Sequence, residues 1–298
     1  MAADASQQRA AVVRRLLSGV GICGALLVIG YFSVVSTRWG HSLDNDAYFG
    51  RDASGRSVVK FDGEFLDHVT KGTLLLLLVA VFLVSLVRRI PVIGVCAAAG
   101  VVVAVAGAEV LKKVLPWEVL VPSDLQLGLG LQAETYPSGH ATIGSSLALA
   151  GLMVCPANWR AWGSVVAGMV CAMFGTGVVF AGWHRPSDAV GGILWAGVVM
   201  GLVAVLAVTL RKSSIDLVPQ TAARAKLRRQ TIVGSIAAAF VTYGAIVIAA
   251  LTANSGLPDA DRAFVILAGV IVAGAFAVPN WFGNALSAVQ WQVTSDQS

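Results

Sequence analysis

Charge is scarce in this chain: Asp, Glu, Lys and Arg together make up 12% of 298 residues, about half the share of an ordinary soluble domain. So little charge over this length excludes a water-soluble globular protein and leaves an integral membrane protein. Cysteine is scarce too. Cys23, Cys96, Cys155 and Cys171 lie in or at the edge of apolar runs with no C-x-x-C spacing, so they read as packing residues, neither a disulfide framework nor a metal site. The histidines and acids form no compact ligand set, which disfavours a metal-dependent hydrolase. The centres of the apolar runs carry almost no ionisable residues and no matched broken helices, which disfavours a transporter. No fixed repeat is present, and low complexity is confined to the first ten residues.

Apolar residues, by contrast, make up 57% of the chain. Nearly uncharged runs are centred on Leu16 to Val35, Gly72 to Val87, Ile90 to Leu111, Ala141 to Cys155, Trp162 to Trp183, Ala189 to Leu210, Thr231 to Thr252 and Ala263 to Val278. Most approach the ~20 residues that cross a bilayer; the second and fourth are short. The expected fold class is all-α, a polytopic membrane bundle of about eight transmembrane helices. The first run, preceded by Arg14 and Arg15, is long for a secretory h-region and lacks an A-x-A site, so an uncleaved anchor is expected.

Of the 21 Lys and Arg residues, twelve fall on the N-terminal side of the alternating connections, including the cluster from Arg211 to Arg229. Both termini are therefore expected in the cytoplasm, in a multi-pass protein of the cell membrane. The net charge of +5 concentrates in that cluster, where contact with anionic lipid headgroups explains it better than nucleic acid does. The bilayer is the expected partner, with no nucleic acid. The organisation read from the runs is a six-helix core over 1–210, a basic cytoplasmic linker over 211–230, and a C-terminal helix pair with its tail over 231–298. A polar outer loop runs from Thr37 to Lys71, with His41 and His68 expected to be solvated.

Two short motifs stand at the mouths of spans on one face. In Tyr136-Pro137-Ser138-Gly139-His140 the proline suits a helix start. The amides of Ser138, Gly139 and His140 would then face outward at the positive end of the dipole, with the Ser138 hydroxyl as a further donor: a phosphate cradle. In His184-Arg185-Pro186-Ser187-Asp188, His184 and Asp188 are four apart, a spacing that puts both on one helical face within hydrogen-bonding reach. A carboxylate on one imidazole nitrogen fixes the tautomer and leaves the other to attack, so His184 is the expected nucleophile. Lys112 and Lys113 end the third span on the same side, and Glu109, one turn before Lys112, is expected to pair with it.

These residues resemble the type 2 phosphatidic acid phosphatase (PAP2) superfamily, whose membrane members have a six-helix core and the motifs K-x6-R-P, P-S-G-H and S-R-x5-H-x3-D. The resemblance spans roughly Leu111 to Gly192, and the second motif matches in full. It implies a lipid phosphate or pyrophosphate phosphohydrolase in which His184 forms a phosphohistidine, Asp188 orients it and His140 protonates the leaving oxygen. It also implies that Lys112, Ser138 and Gly139 hold phosphoryl oxygens, with no metal or other cofactor. Two family guanidiniums are missing, since Val119 and Val178 stand in their places. Arg185, and secondarily Lys113, are the candidate substitutes. A transferase of the same fold and a lipid-phosphate-binding pseudoenzyme are the alternatives.

Overall fold

The computed structural model describes residues 2–51, 68, 71–116, 120, 135–210, 215–217, 222–253 and 258–291. The elements in chain order are α1 (Ala2–Gly30), a π-helical turn (Tyr31–Val35), α2 (Arg38–Gly50), α3 (Lys71–Val87), α4 (Pro91–Val114) and α5 (Gly139–Val154). They continue with α6 (Arg160–Phe180), α7 (Pro186–Leu210), β1 (Ile215–Leu217), α8 (Ala222–Ala253), α9 (Pro258–Ala285) and β2 (Val289–Trp291). Among the described residues six helices are long and apolar enough to cross a membrane, and α3 and α5 are shorter apolar helices, the two runs read as short from sequence. The class is all-α, with one minor exception: β1 and β2 form an antiparallel pair in which Ile215 faces Trp291.

Helix α7 is the centre of the bundle, packed against α1, α4, α5, α6 and α9. Its inward face is built from small residues, among them Gly192, Ala196, Gly197 and Ala204, which let neighbouring backbones approach closely where lipid supplies no hydrophobic drive between helices. The C-terminal helices are unequal. Helix α9 packs on α6, α2 and α7, with Phe276 set over Gly168, whereas α8 is largely exposed and begins inside the stretch read as a linker.

The chief departure from the sequence reading is α2, which occupies the first part of the expected polar loop. Thr37 caps it, its Oγ1 accepting the Gly40 amide at 3.0 Å. His41, Asp44, Asn45 and Tyr48 recur at helical spacing on its buried face. His41 is thus buried at 2% exposure, contrary to the expected solvation, while His68 is exposed. A helix whose inner face is polar gives no apolar periodicity, and that periodicity is what marks a helix in sequence.

At the opposite end Arg160 is 1% exposed and joins three segments. Its Nε donates to the Leu152 carbonyl at 3.2 Å, and Nη1 donates to the carbonyls of Leu286, at 2.6 Å, and Val289. Trp291 adds an indole donor to the Met153 carbonyl at 2.8 Å. Arg160→Leu is expected to lower stability by about 2–4 kcal/mol, because three carbonyls lose a buried charged donor. Thermal unfolding of the purified protein in detergent measures it.

Candidate active site

The two motifs meet backbone to backbone. Ser138 caps α5, its Oγ accepting the Ala141 amide at 3.3 Å, and its own amide donates to the Asp188 carbonyl on α7 at 2.9 Å. Thr142 Oγ1 donates to the Ser138 carbonyl at 2.8 Å and lies 3.4 Å from the Gly192 carbonyl. Gly192 is required here, since a Cβ on it would stand 2.7 Å from Ser138 O and 3.0 Å from Thr142 N. Tyr136 braces the same junction from α1: its hydroxyl donates to the Leu27 carbonyl at 2.8 Å and its ring lies on Gly191.

The turn between α6 and α7 aims His184. Gly182 has φ +72, a left-handed conformation that glycine adopts without strain. The amides of Trp183 and His184 both donate to the Val178 carbonyl, at 3.0 and 3.1 Å. His184 Nδ1 lies 3.3 Å from Asp188 Oδ2, and the same oxygen accepts the Arg185 amide at 3.0 Å. Asp188 is 2% exposed and His184 9%, and among the described residues Nε2 of His184 makes no hydrogen bond. An imidazole anchored through Nδ1 by a buried carboxylate presents Nε2 as its nucleophilic atom.

His140 is half-buried at the first turn of α5, its ring centroid 5.1 Å from that of Trp183, the chain neighbour of His184. Lys112 reaches the same helix start. Its Nζ pairs with Glu109 Oε1 at 2.8 Å, and a Cβ on Gly139 would lie 3.4 Å from that Nζ and 3.1 Å from that carboxylate. The expected Glu109 pairing is therefore present, and it sits against the helix end read as a phosphate cradle. Lys113 is exposed on α4. Ser138 and Gly139 are buried, Ser138 fully. Val178 is a core residue at 0% exposure, so the family arginine position is occupied by packing; Val119 lies outside the described residues.

Sequence reasoning missed the contribution of α2. Arg185 is buried, and its Nε donates to Asn45 Oδ1 at 2.7 Å. Asp44 accepts the Ser187 amide at 3.0 Å and the Ser187 hydroxyl at 2.5 Å. Tyr48 donates to the Gly182 carbonyl at 2.9 Å. Arg51 stacks on Tyr48, its guanidinium carbon 3.9 Å from the ring centroid, and its Nε and one terminal nitrogen stand 3.2 and 3.4 Å from where a Gly182 Cβ would be. A second guanidinium thus reaches the turn that carries His184. The one trace of this in the sequence is the 41, 44, 45, 48 spacing of α2, which is helical but polar.

Residues 93–212, the stretch from α4 through α7 that bears both motifs, match the model of the PAP2 superfamily. No curated protein matches the chain, and no solved structure does. Among the described residues no group of three or more His, Cys, Asp or Glu side chains is placed to hold a metal ion.

Burial, and after it the nearby Asp188 carboxylate, push Asp44 up to about 7 from its ordinary 3.8. A carboxyl whose folded pKa is raised contributes stability below its unfolded value, and that contribution is lost as pH rises through the folded one. Protection of α2 amides, corrected for intrinsic exchange, is therefore expected to fall between about pH 5 and 8 in hydrogen exchange. Asp44→Asn should flatten the profile, and a wild-type profile that is already flat contradicts the assignment.

Proposed function

We propose that this membrane protein is a phosphohydrolase of lipid phosphates or pyrophosphates that works through a phosphohistidine. The observation carrying this reading is the His184–Asp188 pair held against the start of α5, where His140 and Lys112 stand. His184 Nε2 attacks phosphorus as the P–O bond to the lipid breaks, and the leaving oxygen takes a proton from His140. Asp188 stabilises the imidazolium character that develops at Nδ1. Water then gives a proton to the now neutral His140 and attacks phosphorus, forming a P–O bond as the P–N bond breaks, which releases phosphate and returns the electron pair to His184 Nε2.

Positive charge at the phosphoryl oxygens comes from Lys112 and from the first amides of α5, including that of Gly139, while the Ser138 amide, read from sequence as part of the cradle, is taken by the Asp188 carbonyl and holds the helix start in place. Among the described residues, Arg185, which adjoins the nucleophile in the chain, and Arg51, which reaches the Gly182 turn, stand in for the arginines missing at Val119 and Val178 in this reading; Lys113 is a secondary candidate. No metal or other cofactor takes part. By the Lys and Arg count both termini are cytoplasmic, and the site opens at the outer face of the cell membrane. The substrate headgroup enters laterally while its tails stay in the bilayer. The missing family arginines favour one second reading, a protein that binds lipid phosphates without turning them over.

Phosphate release by the purified chain from a panel of lipid phosphates and pyrophosphates, in EDTA, tests this. Release by wild type with none by His184→Ala, and an acid-labile phosphoenzyme absent from that variant, is the expected result. Arg51→Lys is expected to lower release about a hundredfold, the cost of one misplaced transition-state donor. Binding without release from any lipid establishes the second reading, and phosphorylated acceptor in place of free phosphate establishes a transferase.

A further inference from the structure

At the end of the bundle opposite the histidines, two neighbouring hollows share a wall. The larger, about 450 Å³, is an apolar groove between α1, α7 and α9 that extends from Arg15 to Leu26 along α1. The eleven helical rises between them span about 16 Å, the length of a long stretch of acyl chain. The smaller, about 70 Å³, lies at the start of α8 and is lined by Asn158 and Ser287. Arg228 and Asn284 line both. No acid lines either hollow, so the two guanidiniums, on separate helices, are the only charges there among the described residues.

The groove is held open by its own walls. Trp281 Nε1 donates to the Arg15 carbonyl at 3.0 Å, and its ring fills the space over Gly19, where a Cβ would lie 1.8 Å from it. Gly274 has the opposite surroundings: a Cβ there would meet nothing within 4 Å, although the residue lines the groove. A rigid aromatic rim, an apolar trough with Arg15 at one end, and a polar recess that shares Arg228 with the trough match the two halves of an anionic amphiphile. Basic pockets between helix ends bind anionic headgroups in this way.

We propose that this groove holds one anionic phospholipid of the leaflet opposite the histidine site. Its phosphate lies between Arg15 and Arg228, and one acyl chain runs past Gly274 toward Leu26. Leu27, the α1 residue that accepts the Tyr136 hydroxyl, is twelve residues from Arg15. The headgroup is therefore about 18 Å along the helix from the candidate active site, and the lipid is a resident of the fold that does not depend on the proposed chemistry.

Native mass spectrometry of the purified full chain, released from micelles containing equal phosphatidylglycerol and phosphatidylcholine of the same chain length, tests the proposal. Wild type is expected to retain one phosphatidylglycerol in preference to phosphatidylcholine. Arg15→Gln with Arg228→Gln should reduce that preference by roughly fivefold per guanidinium, the factor that ~1 kcal/mol per surface cation represents. Gly274→Leu, which fills the trough without a clash, should lower retention of both lipids. Equal retention of the two lipids by wild type overturns the proposal, as does a preference that survives both variants. Circular dichroism and gel filtration of each variant establish that it is folded before its lipid content is read.

Discussion

The candidate site depends on one close approach, that of α5 and α7 at Gly192. With no side chain between them, the Ser138 amide reaches the Asp188 carbonyl, and a backbone hydrogen bond ties the start of one helix to the first turn of the other. In a bilayer such contacts are built from small residues, because lipid tails compete equally well for large apolar ones. The position of His140 relative to His184 is thus set by backbone, with Trp183 beside the first and the Gly182 turn behind the second. Any side chain at residue 192 separates the two motifs before it touches either histidine.

Helix α2 surrounds this junction with polar contacts. Asp44 on Ser187, Asn45 on Arg185 and Tyr48 on Gly182 are three hydrogen-bonded attachments from one helical face to one five-residue stretch and the turn before it. Buried polar groups that are fully paired fix a geometry more sharply than apolar packing does, since every displacement leaves a donor or acceptor unsatisfied. The arrangement also gathers two arginines at a turn whose α6 side is apolar, with Val178 in the core. Both guanidiniums stand at the turn that carries His184, Arg185 from within the motif that holds His184 and Asp188, and Arg51 from the end of α2.

Most of the bundle was legible because the bilayer enforces it. Apolar runs near twenty residues and the short third and fifth helices follow from the requirement that the backbone satisfy itself in lipid, whereas Pro137, read as a helix start, precedes the Ser138 cap of α5. The Lys112–Glu109 contact was legible because a spacing of three on a helix leaves little freedom, and the His184–Asp188 contact because His184 stands in the turn just before the first turn of α7, which holds Asp188. What sequence could not supply was long-range. His41 and Asp44 read as loop residues because their burial depends on α9 and α7, more than a hundred residues away. Arg51 belongs to the same class: nothing around it in the chain indicates that Gly182 is its neighbour.

The buried contacts of Arg160 have a temporal meaning as well as a static one. This arginine opens α6 in the middle of the chain, yet two of the carbonyls it donates to, Leu286 and Val289, are among the last residues described. Translation proceeds from the N-terminus, so α5, α6 and α7, with the whole candidate site, are synthesised while a guanidinium at their far end still lacks two of its three carbonyl partners. Its Nη1 stays with water until the segment after α9 supplies the Leu286 and Val289 carbonyls. Residues 286–291 are therefore an assembly checkpoint for the half that bears both motifs: a nascent chain lacking them carries every motif residue but leaves the start of α6 with a charge whose partners are incomplete.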